Sequence, residues 1–245
     1  MVISEQHHWN KPTVDWIDFE KAFSVPRVGR YKARCHGNEM LAIAAYRHNL
    51  LLSEALTPFL CTIEIALRNA IHGQLVRHYR REDWWEAWHD DPRFRRQLTD
   101  IARARDKLRL RREAQFPDKV VAELTFGFWT TLLNAEYHAN LWPQLRKAFP
   151  HCPKDRRKRA PIAAIANKIR ILRNRAFHHE PILWVRGDAG EIHLEGLELL
   201  RWIHGGLGSW FSTINRVPVI WAQWRELESA LLASVVPREE RAGTG

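Results

Sequence analysis

Residues 39–80 of the chain read EMLAIAAYRHNLLLSEALTPFLCTIEIALRNAIHGQLVRHYR. Their apolar side chains recur every three or four positions, the spacing that lines one face of a helix. The recurring positions include Leu41, Ala45, Leu52, Ala55, Phe59, Ile63, Leu67 and Ile71. Pro58 lacks the amide hydrogen that an interior helical turn needs, so we expect it to divide or kink the stretch. A long apolar helix of this kind predicts an all-α fold.

Further stretches on either side show the same helical spacing. They lie at about 120–149, 161–179, 194–214 and 219–236. Gly205 and Gly206 indicate a helix break or a close packing contact within the third of these stretches. Residues 183–193 place a Gly-Asp turn between short apolar segments, which makes them the only candidate β-hairpin. We therefore expect an all-α helical bundle, with 183–193 as the single exception.

The chain has 245 residues, enough for one large domain, and it contains no internal repeat or low-complexity linker. Residues 1–25 mix Trp9, Trp16 and Phe19 with charges and Pro12, and we expect an arm that packs its aromatic rings onto the body. Residues 26–236 are predicted to form one helical domain. The polar segment 237–245 is predicted to be a flexible tail.

The formal net charge of +10 and the isoelectric point of about 9.9 attract phosphate polyanions, so nucleic acid is the first partner to test. A solvated cationic surface would produce the same charge. The three cysteines are scattered, and no histidine or cysteine spacing predicts a metal site, so we expect neither metal nor cofactor. The amino terminus has no leader pattern, and no window suggests a membrane span, so a cytoplasmic protein without membrane association is expected.

Residues 93–112 form the most basic segment of the chain. They hold nine Arg or Lys against Asp100 and Asp106. A narrow apolar stripe, formed by Leu98, Ile101, Ala104 and Leu108, still runs through them. This pattern predicts a basic amphipathic helix. A second basic segment, 154–159, is predicted to be a loop.

The helix entered at Pro161 carries the candidate chemistry at its carboxyl end, Arg173-Asn174-Arg175-Ala176-Phe177-His178. Asn174 and His178 are four residues apart and share a helix face. Arg173 lies about 100° away, but its long side chain can reach round towards them. Pro181 is expected to stop the helix just beyond His178 and His179. Guanidinium, amide and imidazole are therefore predicted to converge at one helix end.

These residue types suffice for RNA cleavage without metal. Arg173 or Arg175 can hold a phosphate through forked hydrogen bonds, and Asn174 can orient the imidazole or a ribose hydroxyl. A helix carboxyl end favours the imidazolium form, so His178 there suits proton transfer. The alternative is structural, with arginines in surface ion pairs and a histidine that caps a helix. For an arbitrary Arg-x4-His spacing the structural alternative is the commoner one.

Glu64, Arg68 and His72 follow one another at intervals of four and lie on one helix face. They form either an intrahelical ladder of salt bridges with a hydrogen-bonded histidine or a polar wall of the same cleft that orients RNA. Trp84, Trp85 and Trp88 present a similar choice. Core or interface packing is favoured for them over base stacking.

Five blocks of the sequence, within residues 24–184, resemble the Abi-like family of bacterial abortive-infection proteins, which belongs to the HEPN superfamily of helical ribonucleases. The blocks, in the family's order, are 24–31 (SVPRVGRY) with Gly37-Asn38, 52–56 (LSEAL), 63–72 (IEIALRNAIH), 121–129 (VAELTFGFW) and 172–181 (LRNRAFHHEP). The last block, Arg-Asn-x-x-x-His ending in His-Glu-Pro, is the family's most specific signature. The region from about residue 194 onward has no counterpart among these blocks.

The resemblance implies a HEPN-type helical bundle and RNA cleavage used in phage defence or as a toxin. By the family motif, Arg173 and His178 take catalytic positions, and Asn174 takes the interior polar position. Glu64 and Arg68 match an earlier block, so with His72, Arg175 and His179 they are candidates for RNA binding or support. The resemblance also implies a homodimer with a composite cleft. It permits control by an antitoxin or a regulatory RNA.

Two other classes of function remain open at this stage. A non-catalytic RNA-binding or sensing module would use the basic segments 93–112 and 154–159 for affinity and would cut no bond. A helical interaction protein would bind another protein and no nucleic acid.

Overall fold

The computed structural model of the chain describes residues 14–235, and these residues form eleven α-helices joined by turns and short 3-10 segments. The helices are α1 Trp16–Phe23, α2 Val25–Arg34, α3 Glu39–Tyr79, α4 Arg95–Leu110, α5 Pro117–Glu123, α6 Phe126–Thr131, α7 Trp142–Leu145, α8 Arg159–Phe177, α9 Ala189–Ile203, α10 Leu207–Ser212 and α11 Val217–Val235. Within this range no residue is in a β-strand. The all-α prediction is confirmed.

Helix α3 is the centre of the bundle, and α2, α8, α9 and α11 all pack against it. Its 41 residues begin at Asn38, whose side chain caps the helix by accepting from the amide of Leu41. Side chains along its whole length, from Leu41 to Leu75, are buried. The helix therefore supplies a continuous apolar surface on which the other helices are arranged.

Pro58 does not divide α3, contrary to the sequence prediction. Its ring lies on the exposed side of the helix, while its neighbours Phe59 and Leu60 are buried. Nearby hydroxyl groups donate to carbonyls four residues back, as in the 2.7 Å bond from Thr62 Oγ1 to the carbonyl of Pro58. Burial of the apolar face holds the helix together across the proline.

Helix α3 also contains an 18-residue window that is apolar enough to cross a membrane by length and composition. The sequence expectation that no window suggests such a span is wrong in this respect. Much of the apolar surface of α3 is covered in the bundle, because Leu56, Phe59 and Ile63 are fully buried among other helices. The core helix of a packed bundle meets the same criterion, so this single helix is weak evidence for a membrane span.

The β-hairpin expected at 183–193 is wrong. Asp188 is the N-cap of α9, and its carboxylate accepts from the amides of Gly190 at 2.8 Å and Glu191 at 3.1 Å. Gly187 precedes it with a φ of +92°, a conformation that glycine adopts without strain. The Gly-Asp pair is therefore a helix start, because an aspartate that turns the chain can equally cap a helix.

The stretch 120–149 is helical only in short pieces, where the sequence spacing predicts a longer pattern. Helix α5 ends at its C-cap Leu124, and Thr125 caps the start of α6 by accepting from the amide of Phe128 at 3.3 Å. Pro143 sits in the first turn of α7.

The three tryptophans of the 3-10 segment 84–88 are at most 1% exposed, and Trp88 stacks on Phe94 at 4.2 Å. Core packing is thus confirmed for them over base stacking.

The described part of the predicted amino-terminal arm packs into the core. Trp16 and Phe19 of α1 are buried, and Phe19 meets the ring of Tyr46 edge-on at 5.3 Å. Trp9, Pro12 and the predicted tail 237–245 lie outside the described residues. The helix break expected at Gly205 and Gly206 is confirmed between α9 and α10.

Gly196 of α9 tests how tightly the helices that carry the site are packed. A Cβ atom there would lie 2.2 Å from Cζ of the buried Phe59 and 3.2 Å from Cδ1 of Ile169. We predict that Gly196→Ala lowers the free energy of unfolding by about 1–3 kcal/mol, as overpacked cores do. Urea denaturation followed by circular dichroism measures this.

Gly73 of α3 is the matched control, because a Cβ atom there meets nothing within 4 Å. Gly73→Ala is expected to stabilise the protein by roughly 0.5–1 kcal/mol through helix propensity alone. Equal stability changes for the two variants would contradict the packing of α9 on α3 and α8.

Candidate functional site

The carboxyl end of α8 is shaped by a Schellman motif. Phe177 is the last helical residue and His178 the C-cap, and His179 turns the chain with a φ of +55°. The amide of His179 donates to the carbonyl of Ala176 at 3.2 Å, and the amide of Glu180 donates to that of Arg175 at 2.9 Å. The helix ends where Pro181 predicted it would. His178 and His179 are both exposed.

The chain beyond His179 is fastened to α3 by a buried amide. Asn49, which is 1% exposed, donates from Nδ2 to the carbonyl of Glu180 at 3.2 Å. Its Oδ1 accepts from the amide of the buried Ile182 at 2.7 Å. Arg27 of α2 adds a third tie, from Nη1 to the carbonyl of His179 at 3.0 Å. Three side-chain hydrogen bonds thus fix the backbone at residues 179–182.

Arg173 lies at the contact between α8 and α3. Its Nε is 3.4 Å from Oε2 of Glu64, and its guanidinium carbon stands 4.7 Å over the ring of Phe177. The side chains of Arg173 and Glu64 are 32% and 23% exposed, so the pair is substantially desolvated. The contact is an ion pair without hydrogen-bond alignment, and Nε is left buried without a hydrogen bond among the described residues. The structure therefore brings together the motifs that contain Glu64 and Arg173, which lie 109 positions apart in the sequence.

Asn174 and His178 occupy the neighbouring row of α8. The carbonyl of Asn174 accepts from the amide of His178 at 3.0 Å, and the side chain of Asn174 makes no hydrogen bond to any described residue. Within residues 14–235 no hydrogen bond or ion pair connects Arg173 with His178. The two groups share one helix end without touching each other. The predicted convergence of guanidinium and imidazole is therefore limited: the two side chains lie on adjacent faces of the same helix end and make no contact.

Arg68 and His72 have different surroundings from Glu64. Arg68 is half-buried and donates from Nε to Oδ1 of Asn69 at 3.1 Å, so the intrahelical salt bridge with Glu64 does not form. His72 lies two turns beyond Glu64, and its Nδ1 accepts from Nε1 of Trp84 at 3.0 Å. Burial lowers the pKa of His72. His72 is a neutral packing histidine, which is the structural alternative for this residue.

Two further histidines are buried far more deeply than His178. His193 of α9 is 1% exposed, and its ring lies 4.9 Å from that of Phe59. Burial lowers the pKa of His193 to about 4 and also lowers the pKa of His48. Both are neutral at physiological pH and enclosed, so they are unsuited to proton exchange with a bound polymer.

The basic segments are partly neutralised by ion pairs. In α4, whose predicted apolar stripe is confirmed, Arg103 pairs with Asp100 at 3.3 Å and Arg109 with Asp106 at 2.9 Å. The predicted basic loop 154–159 ends one residue earlier, because Arg159 begins α8, and its arginines contact neighbouring parts of the chain. Arg156, for example, contacts Glu198 at 2.6 Å and stands 5.0 Å over the ring of Trp202. Much of the charge in these segments therefore supports the fold.

The cysteines are all free, with Cys35 and Cys152 buried and Cys61 exposed. Across residues 14–235, no group of three or more His, Cys, Asp or Glu side chains is arranged to hold a metal ion. No family model matches the chain, and neither does any curated protein or solved structure.

Asn49 and Arg27 are the site residues that the sequence interpretation missed. Asn49 stands among apolar residues in the middle of a predicted core helix, where an unpaired amide would be costly, and that position is a signal for a structural partner. Arg27 belongs to block 24–31, which the sequence could not connect to residue 179. Both side chains act by holding the backbone beside His178.

Asn49 provides the direct test of how the site is held. Asn49→Ala leaves the amide of Ile182 and the carbonyl of Glu180 without their partners, and each unsatisfied buried group costs about 1–3 kcal/mol. We predict a loss of roughly 2–4 kcal/mol in the free energy of unfolding, measured by urea denaturation.

Asn69→Ala is the control, because Asn69 is an exposed asparagine of the same helix. Its effect is expected to stay within about 0.5 kcal/mol. If Asn49→Ala were as mild as Asn69→Ala, the buried amide would not be fastening the chain after α8.

Proposed function

We propose that this chain is a metal-independent endoribonuclease of the HEPN type, related to the Abi-like family, that acts in phage defence or as a toxin. The observation that carries the proposal is the state of Arg173. The side chain of Arg173 is half-buried and placed between Glu64 and Phe177, its Nε is buried, and no nitrogen of its guanidinium makes a hydrogen bond to a described residue. Incompletely satisfied polar groups in a rigid setting are typical of functional sites.

The proposed chemistry uses the nucleophile that RNA itself carries. The 2′-hydroxyl oxygen attacks the adjacent phosphorus and releases its proton to solvent, and the bond from phosphorus to the 5′-oxygen breaks. His178 gives a proton to the leaving 5′-oxygen, and Arg173 stabilises the negative charge on the phosphorane. The products are a 2′,3′-cyclic phosphate and a 5′-hydroxyl. Asn174, with a free side-chain amide, is the candidate to orient the ribose.

Three of the remaining candidate residues, Glu64, Arg175 and His179, are given roles that follow from their contacts. Glu64 holds the guanidinium of Arg173, and Arg175 stands beside Glu180 at 3.5 Å on the outer side of the same helix end. His179 supplies the left-handed turn that exposes His178. A homodimer would place two such helix ends around one cleft and bring a guanidinium of one subunit near an imidazole of the other. An antitoxin or a regulatory RNA would then act by covering that cleft.

A non-catalytic RNA-binding module is the alternative, and exposed cations of α4 favour it. Arg95, Arg96 and Lys107 are exposed and make no ion pair with any described residue. Such cations give salt-dependent affinity for a phosphate backbone without any bond cleavage. Both functions therefore include RNA binding, and only the proposed ribonuclease cleaves the RNA.

His178→Ala separates the two functions. We predict that the wild-type protein cleaves a labelled RNA in excess EDTA and that the variant is at least about 100-fold slower, the usual contribution of a general acid. Cleavage is followed on denaturing gels, with circular dichroism to confirm the fold.

His138→Ala is the matched control, because His138 is also an exposed histidine that follows a helical turn. It is expected to cleave at the wild-type rate. Equal rates for His178→Ala and wild type, or a requirement for metal, would contradict the proposed chemistry.

A further inference from the structure

A cavity of about 460 Å³ opens on the side of the α8 end that faces α2. Its lining includes Arg30 and Arg34 of α2, Arg175 of α8, and Glu180, Pro181 and Trp184 from the segment that follows. Among these residues, the sequence interpretation named Arg175 as a candidate site residue and Pro181 as the helix stop. Arg30 belongs to block 24–31, for which the proposed cleavage chemistry has no use.

The cavity carries an excess of positive charge. Arg30 and Arg34 are four residues apart on one face of α2, both are exposed, and neither makes an ion pair or hydrogen bond with a described residue. Like charges at this spacing repel each other. Among the described residues that line the cavity, Glu180 is the only one with a carboxylate, and its Oε2 lies 3.5 Å from Nε of Arg175. The guanidinium groups of Arg30 and Arg34 are therefore available to bind an anion.

Trp184 and Pro181 make another part of the lining apolar, and Trp184 is held in place by its contacts. Trp184 meets the rings of Tyr31 at 5.7 Å and Trp224 at 5.8 Å, and its Nε1 donates to Glu228 at 3.2 Å. Pro181 stands beside it in the lining. A fixed aromatic and proline wall next to guanidinium groups suits a nucleobase or ribose joined to a phosphate. The volume is within the range of small-ligand sites.

We infer that this cavity binds one nucleotide of an RNA strand, next to the bond that His178 and Arg173 act on. Arg30 and Arg34 bind the phosphate of this nucleotide, and Trp184 and Pro181 contact its sugar or base. The inference rests on the proposed function and adds a substrate subsite to it. Because the segment 180–184 both follows His178 and lines the cavity, a strand held there passes the α8 end.

The test measures binding without cleavage. A fluorescein-labelled RNA with 2′-O-methyl groups on every ribose has no nucleophile, so fluorescence anisotropy reports affinity alone. Arg30→Ala/Arg34→Ala is expected to bind at least about tenfold more weakly than wild type, as loss of charge-assisted phosphate contacts implies. Arg81→Ala/Arg216→Ala removes the same charge from two exposed arginines that lie outside both basic segments and outside the cavity lining. It is expected to lose no more than about twofold.

Several results would overturn the inference. These are unchanged affinity in Arg30→Ala/Arg34→Ala, equal losses in both double variants, or no binding by the wild type. A calorimetric titration with 5′-AMP addresses a free nucleotide as the ligand. Binding of 5′-AMP that the Arg30→Ala/Arg34→Ala change abolishes, with RNA affinity unaltered, would also reject the RNA strand.

These assays distinguish a failure of the nucleotide subsite from a failure of the proposed ribonuclease activity. Weaker binding by Arg30→Ala/Arg34→Ala, in a protein that does not cleave unmodified RNA, supports the subsite and rejects the ribonuclease. Unchanged binding by that variant, with cleavage lost in His178→Ala, rejects the subsite and retains the ribonuclease.

Discussion

The buried amide of Asn49 is the interaction on which the arrangement of the site depends. It satisfies a donor and an acceptor of the chain that leaves α8, at a point where neither backbone group has a helical partner. Asn49 contacts residues 180 and 182 while Glu64, four turns later in α3, contacts Arg173, so α3 and α8 run in opposite directions. These two contacts set the position of the α8 end relative to the core helix, and with it the position of His178.

The electrostatics of the site follow from this packing. Arg173 is brought against α3, where Glu64 compensates its charge and Phe177 covers one face of the guanidinium. A partly desolvated ion pair without hydrogen-bond alignment adds little to stability, and a guanidinium in this state suits the anion binding proposed above. The overall charge of +10 attracts a polyanion to the molecule. Under the proposed function, the local arrangement of Arg173, Arg30 and Arg34 determines where the phosphates of that polyanion bind.

The parts of the fold that were predicted from the sequence are those with long, regular periodicity. Helices α3, α8 and α11 lie within a few residues of their predicted bounds, because each buries an apolar face over many turns. The hairpin at 183–193 failed because a Gly-Asp pair signals a turn and a helix cap equally well, and only the packing of α9 decides between them. Pro58 was misjudged because its effect depends on which face of α3 is exposed.

Only those features of the site that lie close together in the sequence were predictable. The order Arg173, Asn174, His178 and the stop at Pro181 specify the helix end, and these were identified from spacing. The partners of that helix end come from residues 27, 49 and 64, and no pattern in a single sequence relates positions more than 100 residues apart. For the same reason, the sequence did not predict that Arg30 and Arg34 line one cavity with Arg175.

The chemical nature of the cleaved ends tests the central claim most directly. Mass spectrometry of the fragments from a defined RNA, incubated with the wild-type protein in EDTA, distinguishes the ribose hydroxyl from water as the nucleophile. Attack by the 2′-hydroxyl is expected to leave a 2′,3′-cyclic phosphate on the upstream fragment and a 5′-hydroxyl on the downstream one. A 3′-hydroxyl paired with a 5′-phosphate would contradict it.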